Sequence, residues 1–270
     1  QVTGLEAGKS YCYELASEDG TPLTECFPFR AAPQEDAAIR FVLTAEYGGS
    51  TAPDSPYAGP LIERMGYEHP DFLLSVGDLV NDGTKEEPWD AYIFRPFASL
   101  LRSTPLYPCI GNHEVGDRIA DGSHPEIYAY FDRYFALPHY YSFDYGCGHF
   151  CVLDAPNLCP YEDTVNYVPK LPEDYRESDQ FRFLEQDLAA CGKPWKFVVF
   201  HYPPYTSSYV DVPALQALAP VLERHGVDMV FNSHAILYDR SHPIAGGKVA
   251  SKGVRYLLVG GFEKFDHWFP

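Results

Sequence analysis

Asparagine and histidine stand side by side in Gly111-Asn112-His113-Glu114, directly after the apolar run Leu106-Tyr107-Pro108-Cys109-Ile110. An amide oxygen and an imidazole where a strand runs out into a loop can hold a metal ion and a phosphate together. Polar residues end four further apolar runs. Glu46 follows Arg40-Phe41-Val42-Leu43-Thr44-Ala45, and Gly77-Asp78 follows Phe72-Leu73-Leu74-Ser75-Val76. His201 follows Phe197-Val198-Val199-Phe200, and Asn232-Ser233-His234 follows Met229-Val230-Phe231.

The five runs read as buried strands, and stretches 57–66, 89–101, 178–191 and 214–226 between them carry helical apolar spacing. Strands alternating with helices predict an α/β sheet, which keeps its sites at the C-terminal strand ends. Five polar residues in that position by chance are improbable, so they mark a site. Residues 1–33 differ. Ser10-Tyr11-Cys12-Tyr13-Glu14-Leu15 and Glu25-Cys26-Phe27-Pro28-Phe29-Arg30 look like paired strands around Asp19-Gly20. Two strands cannot make a stable sandwich alone. The expected division is therefore 1–33, resembling the C-terminal strands of a fibronectin-type β domain, and 34–270, the main domain.

A chain of 270 residues, 46% hydrophobic and 16% aromatic, can bury a large core. No apolar stretch approaches the roughly 20 residues that span a bilayer. A net charge of -18 and a pI near 4.8 argue against a nucleic-acid partner. They also repel phosphate esters, unless a bound cation reverses the local field. The first residue is Gln1, neither an initiator Met nor a signal peptide, which suggests a longer or processed chain. The cysteines include no Cys-x-x-Cys pair, against a thiolate zinc site. Cys12 and Cys26 read as a staple across the hairpin, and Cys147, Cys151, Cys159 and Cys191 are compatible with further bridges. That usage points to a secreted or lumenal protein, with reduced cysteines in a cytosolic enzyme as the alternative.

In their order and spacing the strand ends resemble those of the metallophosphoesterase superfamily, the purple acid phosphatases in particular. The resemblance extends to the hairpin Tyr141-Ser142-Phe143-Asp144-Tyr145 and His149-Phe150-Cys151-Val152-Leu153-Asp154. It implies an α/β fold of two mixed β-sheets packed face to face and flanked by helices, preceded here by a partial β-sandwich segment. It also implies two metals bridged by an aspartate and by a hydroxide that attacks phosphorus. Asp78 matches the bridging carboxylate, and Asn112, His201 and His234 match the remaining ligands of the second metal. Such a set suits Zn²⁺, Mn²⁺ or Fe²⁺. His113 matches the residue that contacts phosphate and helps protonate the leaving group.

The first-metal ligands depart from the family pattern. Glu46 stands for an aspartate, Asn81 for a tyrosine, and Ile236 for the second histidine of Gly-His-x-His; Gly48 excludes the Asp-x-His alternative. The oxygen donors left there, Glu46, Asp78 and Asn81, favour Ca²⁺ or Mg²⁺, or the chain is metal-free. Tyr209-Val210-Asp211 replaces a stretch that often carries phosphate-contacting histidines. Arg240, in Tyr238-Asp239-Arg240, is expected to pair with a nearby carboxylate. Two functional readings arise. In the first, the chain is a catalytically impaired phosphatase-like domain serving as a secreted structural, binding or assembly module with protein partners. In the second, it is a metal-dependent phosphoesterase that hydrolyses phosphate monoesters with one metal or an altered pair.

Overall fold

A computed structural model describes residues 3–50, 55–163, 165 and 167–260. In the first 33 residues, β1 (Ser10–Tyr13) pairs antiparallel with β2 (Phe27–Arg30), and the Cys12–Cys26 disulfide closes the hairpin. Three parallel strands then make a sheet in the order β3 (Phe41–Thr44), β4 (Phe72–Ser75), β5 (Leu106–Tyr107). A six-stranded mixed sheet holds β6 (Tyr141–Tyr145), β7 (Gly148–Val152), β8 (Trp195–Val199), β9 (Met229–Asn232), β10 (Asp239–Arg240) and β13 (Arg255–Leu258). Its central strands β7, β8, β9 and β13 run parallel, and antiparallel β6 and β10 form the edges. A two-stranded ribbon, β11 (Ile244–Ala245) with β12 (Lys248–Val249), stands beside it.

The two larger sheets face each other across Phe72, Leu74, Val76, Phe150, Val152, Val199 and Phe231. Phe41 lies flat against Phe72 at 5.2 Å between ring centres and meets Phe150 edge-on at 5.2 Å. Alternate strand residues point the other way, into two helix-covered layers, as the period of two in a strand requires. On one side Leu73 and Ile110 join α2 (Ala58–Tyr67), α3 (Ala98–Leu101) and α4 (Ala129–Phe135) around buried Trp89. On the other, Val198 and Val230 join α6 (Asp179–Ala190) and α7 (Ala219–Arg224) around Leu184 and Leu188. One-turn helices α1 (Tyr47–Ser50) and α5 (Ala155–Leu158) follow β3 and β7. The layers run helix, sheet, sheet, helix.

The helices expected at 57–66 and 178–191 are α2 and α6; the Ser178 hydroxyl caps α6 by accepting the Phe181 N–H at 3.2 Å. The stretch 89–101 is not one helix. Trp89–Phe94 forms a π-helix and α3 starts at Ala98, because Pro96 lacks an N–H and crowds the carbonyl four residues before it. The stretch 214–226 divides into a 3-10 helix, Pro213–Leu218, and α7, whose first turn accommodates Pro220. The additional bridges considered for Cys147, Cys151, Cys159 and Cys191 do not form: all four are free thiols, as is Cys109. Cys151 and Cys159 are buried among α6-side apolar residues and pack as small hydrophobes.

Candidate metal centre

The loops after β4 and β5 meet backbone to backbone. A Cβ on Gly111 would lie 2.2 Å from Asp78 Oδ1, and one on Gly77 2.6 Å from His201 Nδ1, so glycine is required at both. Among the described residues, five of the eight non-glycine residues with left-handed backbone stand around this point: Glu46, Asp78, Asp117, His234 and Ile236. Each such conformation costs on the order of 1 kcal/mol or more, and persists only where its surroundings over-determine it.

Glu114 does much of that determining. Its buried carboxylate accepts the backbone N–H of Asp78 at 2.7 Å, Leu79 at 2.7 Å, Val80 at 3.3 Å and Gly111 at 2.7 Å. Burial and the Asp78 charge push Glu114 up to about 7, against the pull of the Gly111 and Asp78 amides. One side chain thereby fixes two strand-end loops. The sequence quotes Glu114 inside its motif, but only the fold shows what it holds.

His201 is completely buried, and its Nδ1 donates to the Val76 carbonyl at 2.8 Å. That bond leaves Nε2 turned inward, 3.0 Å from Asn112 Oδ1 and 3.2 Å from Asp78 Oδ2. Asn112 is oriented by Asp117, whose Oδ1 accepts the Asn112 Nδ2 hydrogen at 2.7 Å and turns the amide oxygen toward the histidine. Three lone-pair donors facing one another demand a shared positive charge, a proton or a cation. Burial alone would lower His201, yet the opposing Asp78 raises it to about 9. Burial alone would raise Asp78, yet His201 and His113 hold it below the usual carboxylate range. His234 completes the group: Asp78, His201 and His234 offer ligand atoms within 4.8 Å of one another. Burial and nearby His201 push His234 down to about 3, keeping its imidazole neutral, the ligating form. Asp78, Asn112, His201 and His234 thus fit one divalent ion such as Zn²⁺, Mn²⁺ or Fe²⁺.

The remaining candidates are placed differently. Glu46 Oε1 accepts the Ser233 hydroxyl at 2.7 Å and the His234 N–H at 2.6 Å, and stands 3.9 Å from His201 Nε2. Burial and Asp78 push its carboxyl up to about 7. Asn81 reaches the site through its main chain: the residue is exposed, and its carbonyl accepts the His113 Nδ1 hydrogen at 3.0 Å. That bond turns His113 Nε2 toward Asp78 Oδ2, 3.8 Å away, while the His113 N–H donates to Asp78 Oδ1 at 3.0 Å. Ile236 offers hydrocarbon only. Among the described residues, no second cluster of three ligating side chains forms. Asp117 was not legible as a site residue, a polar side chain close after its motif being the only signal, and Ser233 stood inside its motif without its role being legible.

The calcineurin-like phosphoesterase family profile matches residues 57–237. Purple acid phosphatase 21 of Arabidopsis thaliana is 30% identical over 250 residues, which cover 87% of this chain and 52% of that protein. The chain spans about half the length of the curated relatives it matches. Among solved structures, purple acid phosphatase PPD1 from yellow lupin (Lupinus luteus) seeds superposes with a TM-score of 0.75 at 20% identity, over 96% of this chain and 51% of that one. GAP50, the anchor in the inner membrane complex of Plasmodium, does so with a TM-score of 0.63 at 15% identity, over 86% of this chain and 74% of that one. With the family profile matched over most of its length and donors gathered at the strand ends, this chain belongs to the calcineurin-like phosphoesterases and is similar to the purple acid phosphatases.

Proposed function

We infer that the chain is a purple-acid-phosphatase-like domain with a one-ion centre, impaired as a catalyst and serving outside the cytosol as a binding or assembly module. The observation that carries this reading is the placement of Glu46. Where the family pattern has a shorter carboxylate for the first metal, this oxygen accepts from Ser233 and the His234 backbone instead. Ile236 and Asn81 offer that metal no replacement side chain of the family type. Asp78, Asn112, His201 and His234 would hold one divalent ion, which would supply Lewis acidity to a phosphoryl oxygen. The protein's own part is to keep those donors bare and aligned through Val76, Asp117 and Glu114. His113, steered by the Asn81 carbonyl, is the group to contact phosphate and protonate a leaving alcohol. Without a second ion the charge stabilisation falls by several kcal/mol, about two decades of rate or more.

The Cys12–Cys26 disulfide supports a secreted or lumenal setting. The described use of GAP50 as an anchor supports the idea that this fold can serve an assembly, with a protein as partner. Residues 1–33 are read as the tail of a separate β domain and 34–270 as the phosphoesterase-like one. A second reading, a phosphoesterase cleaving phosphate monoesters with one ion or an altered pair, is favoured by the convergence of Asp78, Asn112, His201 and His234 beside His113. In it, Glu46 would have to leave Ser233 for Ca²⁺ or Mg²⁺ to lie among Glu46, Asp78 and Asn81. Elemental analysis of the purified protein, with para-nitrophenyl phosphate turnover from acid to neutral pH, separates the readings. One equivalent of metal or less with negligible turnover is expected. One equivalent with turnover abolished by His201→Ala would favour the enzyme, and two equivalents would overturn the one-ion centre.

A further inference from the structure

A second charged place lies at the other end of the six-stranded sheet. Residues 240–260 contain Arg240, His242, Lys248, Lys252 and Arg255 and no acid, in a chain with 38 Asp and Glu against 20 Lys and Arg. Arg255 starts β13 opposite Met229 at the start of β9, whereas the metal centre follows the finish of β9. Arg240, on β10, pairs with Leu257. The Ser241 N–H donates to the Tyr256 carbonyl at 2.9 Å, and the Tyr256 N–H returns a bond to the Ser241 hydroxyl at 2.9 Å. His242 follows directly after Ser241 and lines the same cavity as Arg255. The chain then doubles back, with Ile244 and Val254 exchanging bonds at 2.8 and 3.0 Å. Gly253, at φ +152, permits this, since a Cβ there would lie 2.3 Å from the Ile244 carbonyl oxygen.

Arg240, Ser241, His242, Pro243 and Arg255 line a cavity of about 450 Å³. Arg255 also edges a neighbouring cavity of about 590 Å³, together with Lys252. The expected pairing of Arg240 with a carboxylate does not occur: among the described residues Arg240, Lys252 and Arg255 make no ion pair. Two acids, Glu223 and Asp228, line that neighbouring cavity but not the one of Arg240, Ser241, His242, Pro243 and Arg255, and both accept backbone N–H groups. Glu223 accepts the Gly246 N–H at 2.9 Å, and Asp228 accepts the Lys196 N–H at 2.9 Å. The Ser241 hydroxyl, already accepting from Tyr256, has its own hydrogen left to donate.

We propose that this cavity binds a tetrahedral oxyanion, the phosphate or sulfate group of a ligand, between the guanidinium forks of Arg240 and Arg255, with Ser241 and His242 as further donors. Planar forks match such oxygens two at a time, and local basic groups are needed to hold an anion on a chain of net charge -18. The site stands apart from the metal centre and does not depend on its occupancy.

The test is titration calorimetry of the whole chain with inorganic sulfate and inorganic phosphate, against sodium chloride at equal ionic strength. Both oxyanions should bind where chloride does not, and the tighter of the two identifies the group preferred. Since phosphate also suits a metal centre, its binding is repeated on His201→Ala, where it should persist. Arg240→Gln with Arg255→Gln should weaken sulfate at least about tenfold, while Arg64→Gln with Arg182→Gln, an equal charge loss on helix surfaces, leaves it unchanged. Equal heats with chloride, or equal weakening by both pairs of substitutions, would overturn the proposal. Arg255→Lys alone keeps the charge and loses the fork; it should weaken sulfate several-fold, and full retention would equally count against the site.

Discussion

Four backbone amides converge on the buried carboxylate of Glu114. Glu114→Gln keeps the size but turns an NH₂ toward N–H donors. It should cost about 2–4 kcal/mol of stability and loosen metal retention, read by urea denaturation and by elemental analysis after dialysis. Glu46 invites the reverse experiment. Shortening it and restoring an imidazole, Glu46→Asp with Ile236→His, should raise metal content toward two equivalents and turnover by about a hundredfold or more. An unchanged stoichiometry would mean that the lost ligands are not what limits the centre. The identities of these residues were readable as sequence, because a carboxylate, an amide or an imidazole at a strand end is a recognisable signal. Their partners were not: the Ser233 hydroxyl that holds Glu46 and the Asp117 that turns Asn112 become neighbours only through long-range closure.

At the scale of elements, β6, β7 and α6 share a buried histidine. His149 lies between Asp144 Oδ1, 2.7 Å from Nδ1, and Asp187 Oδ2, 2.8 Å from Nε2, so both ring nitrogens donate when the imidazole is charged. Burial lowers its pKa, but the bonds to Asp187 and Asp144 outweigh burial and raise it. A raised folded value means that the stabilisation is fully present below the unfolded value of about 6.5 and disappears as pH climbs through the raised one. The melting temperature should fall over that alkaline interval. His149→Gln should flatten the fall and cost about 1–3 kcal/mol on its acid side; an unaltered pH slope would exclude His149 as its origin. Elements with strong periodicity, such as β4, β8, α2 and α6, were legible. The strands β10, β11, β12 and β13 were not, because two-residue edge strands carry no alternation and β13 shares its apolar run with a loop. The break that Pro96 makes in the stretch 89–101 went unread, as did the burial of Trp89, whose Nε1 donates to the Gly83 carbonyl at 3.1 Å.

Across the whole molecule, the hairpin β1–β2 touches the phosphoesterase body at few points. The Tyr13 hydroxyl donates to the Arg102 carbonyl at 3.0 Å, the Arg102 guanidinium lies 5.0 Å from the Phe27 ring centre, and Arg30 stands 3.6 Å from Asp71. Leu15 and Leu23 remain 56% and 66% exposed, so the hairpin brings little apolar burial of its own. The linker after it is docked independently: the Cys147 N–H donates to the Ala37 carbonyl at 2.9 Å, and Lys193 Nζ to the Glu35 carbonyl at 3.2 Å. Exposed ion pairs contribute about 0–1 kcal/mol and single hydrogen bonds about 1 kcal/mol. A chain beginning at Gln34 should therefore fold with a loss of about 1–3 kcal/mol and bind metal in the same stoichiometry, measured by thermal denaturation and elemental analysis. Reducing the Cys12–Cys26 disulfide in the full chain should free the hairpin and leave the main unfolding transition nearly in place. Loss of cooperative unfolding on either change would make the hairpin part of the phosphoesterase core, because a separately folded tail has no route by which to unravel the two facing sheets.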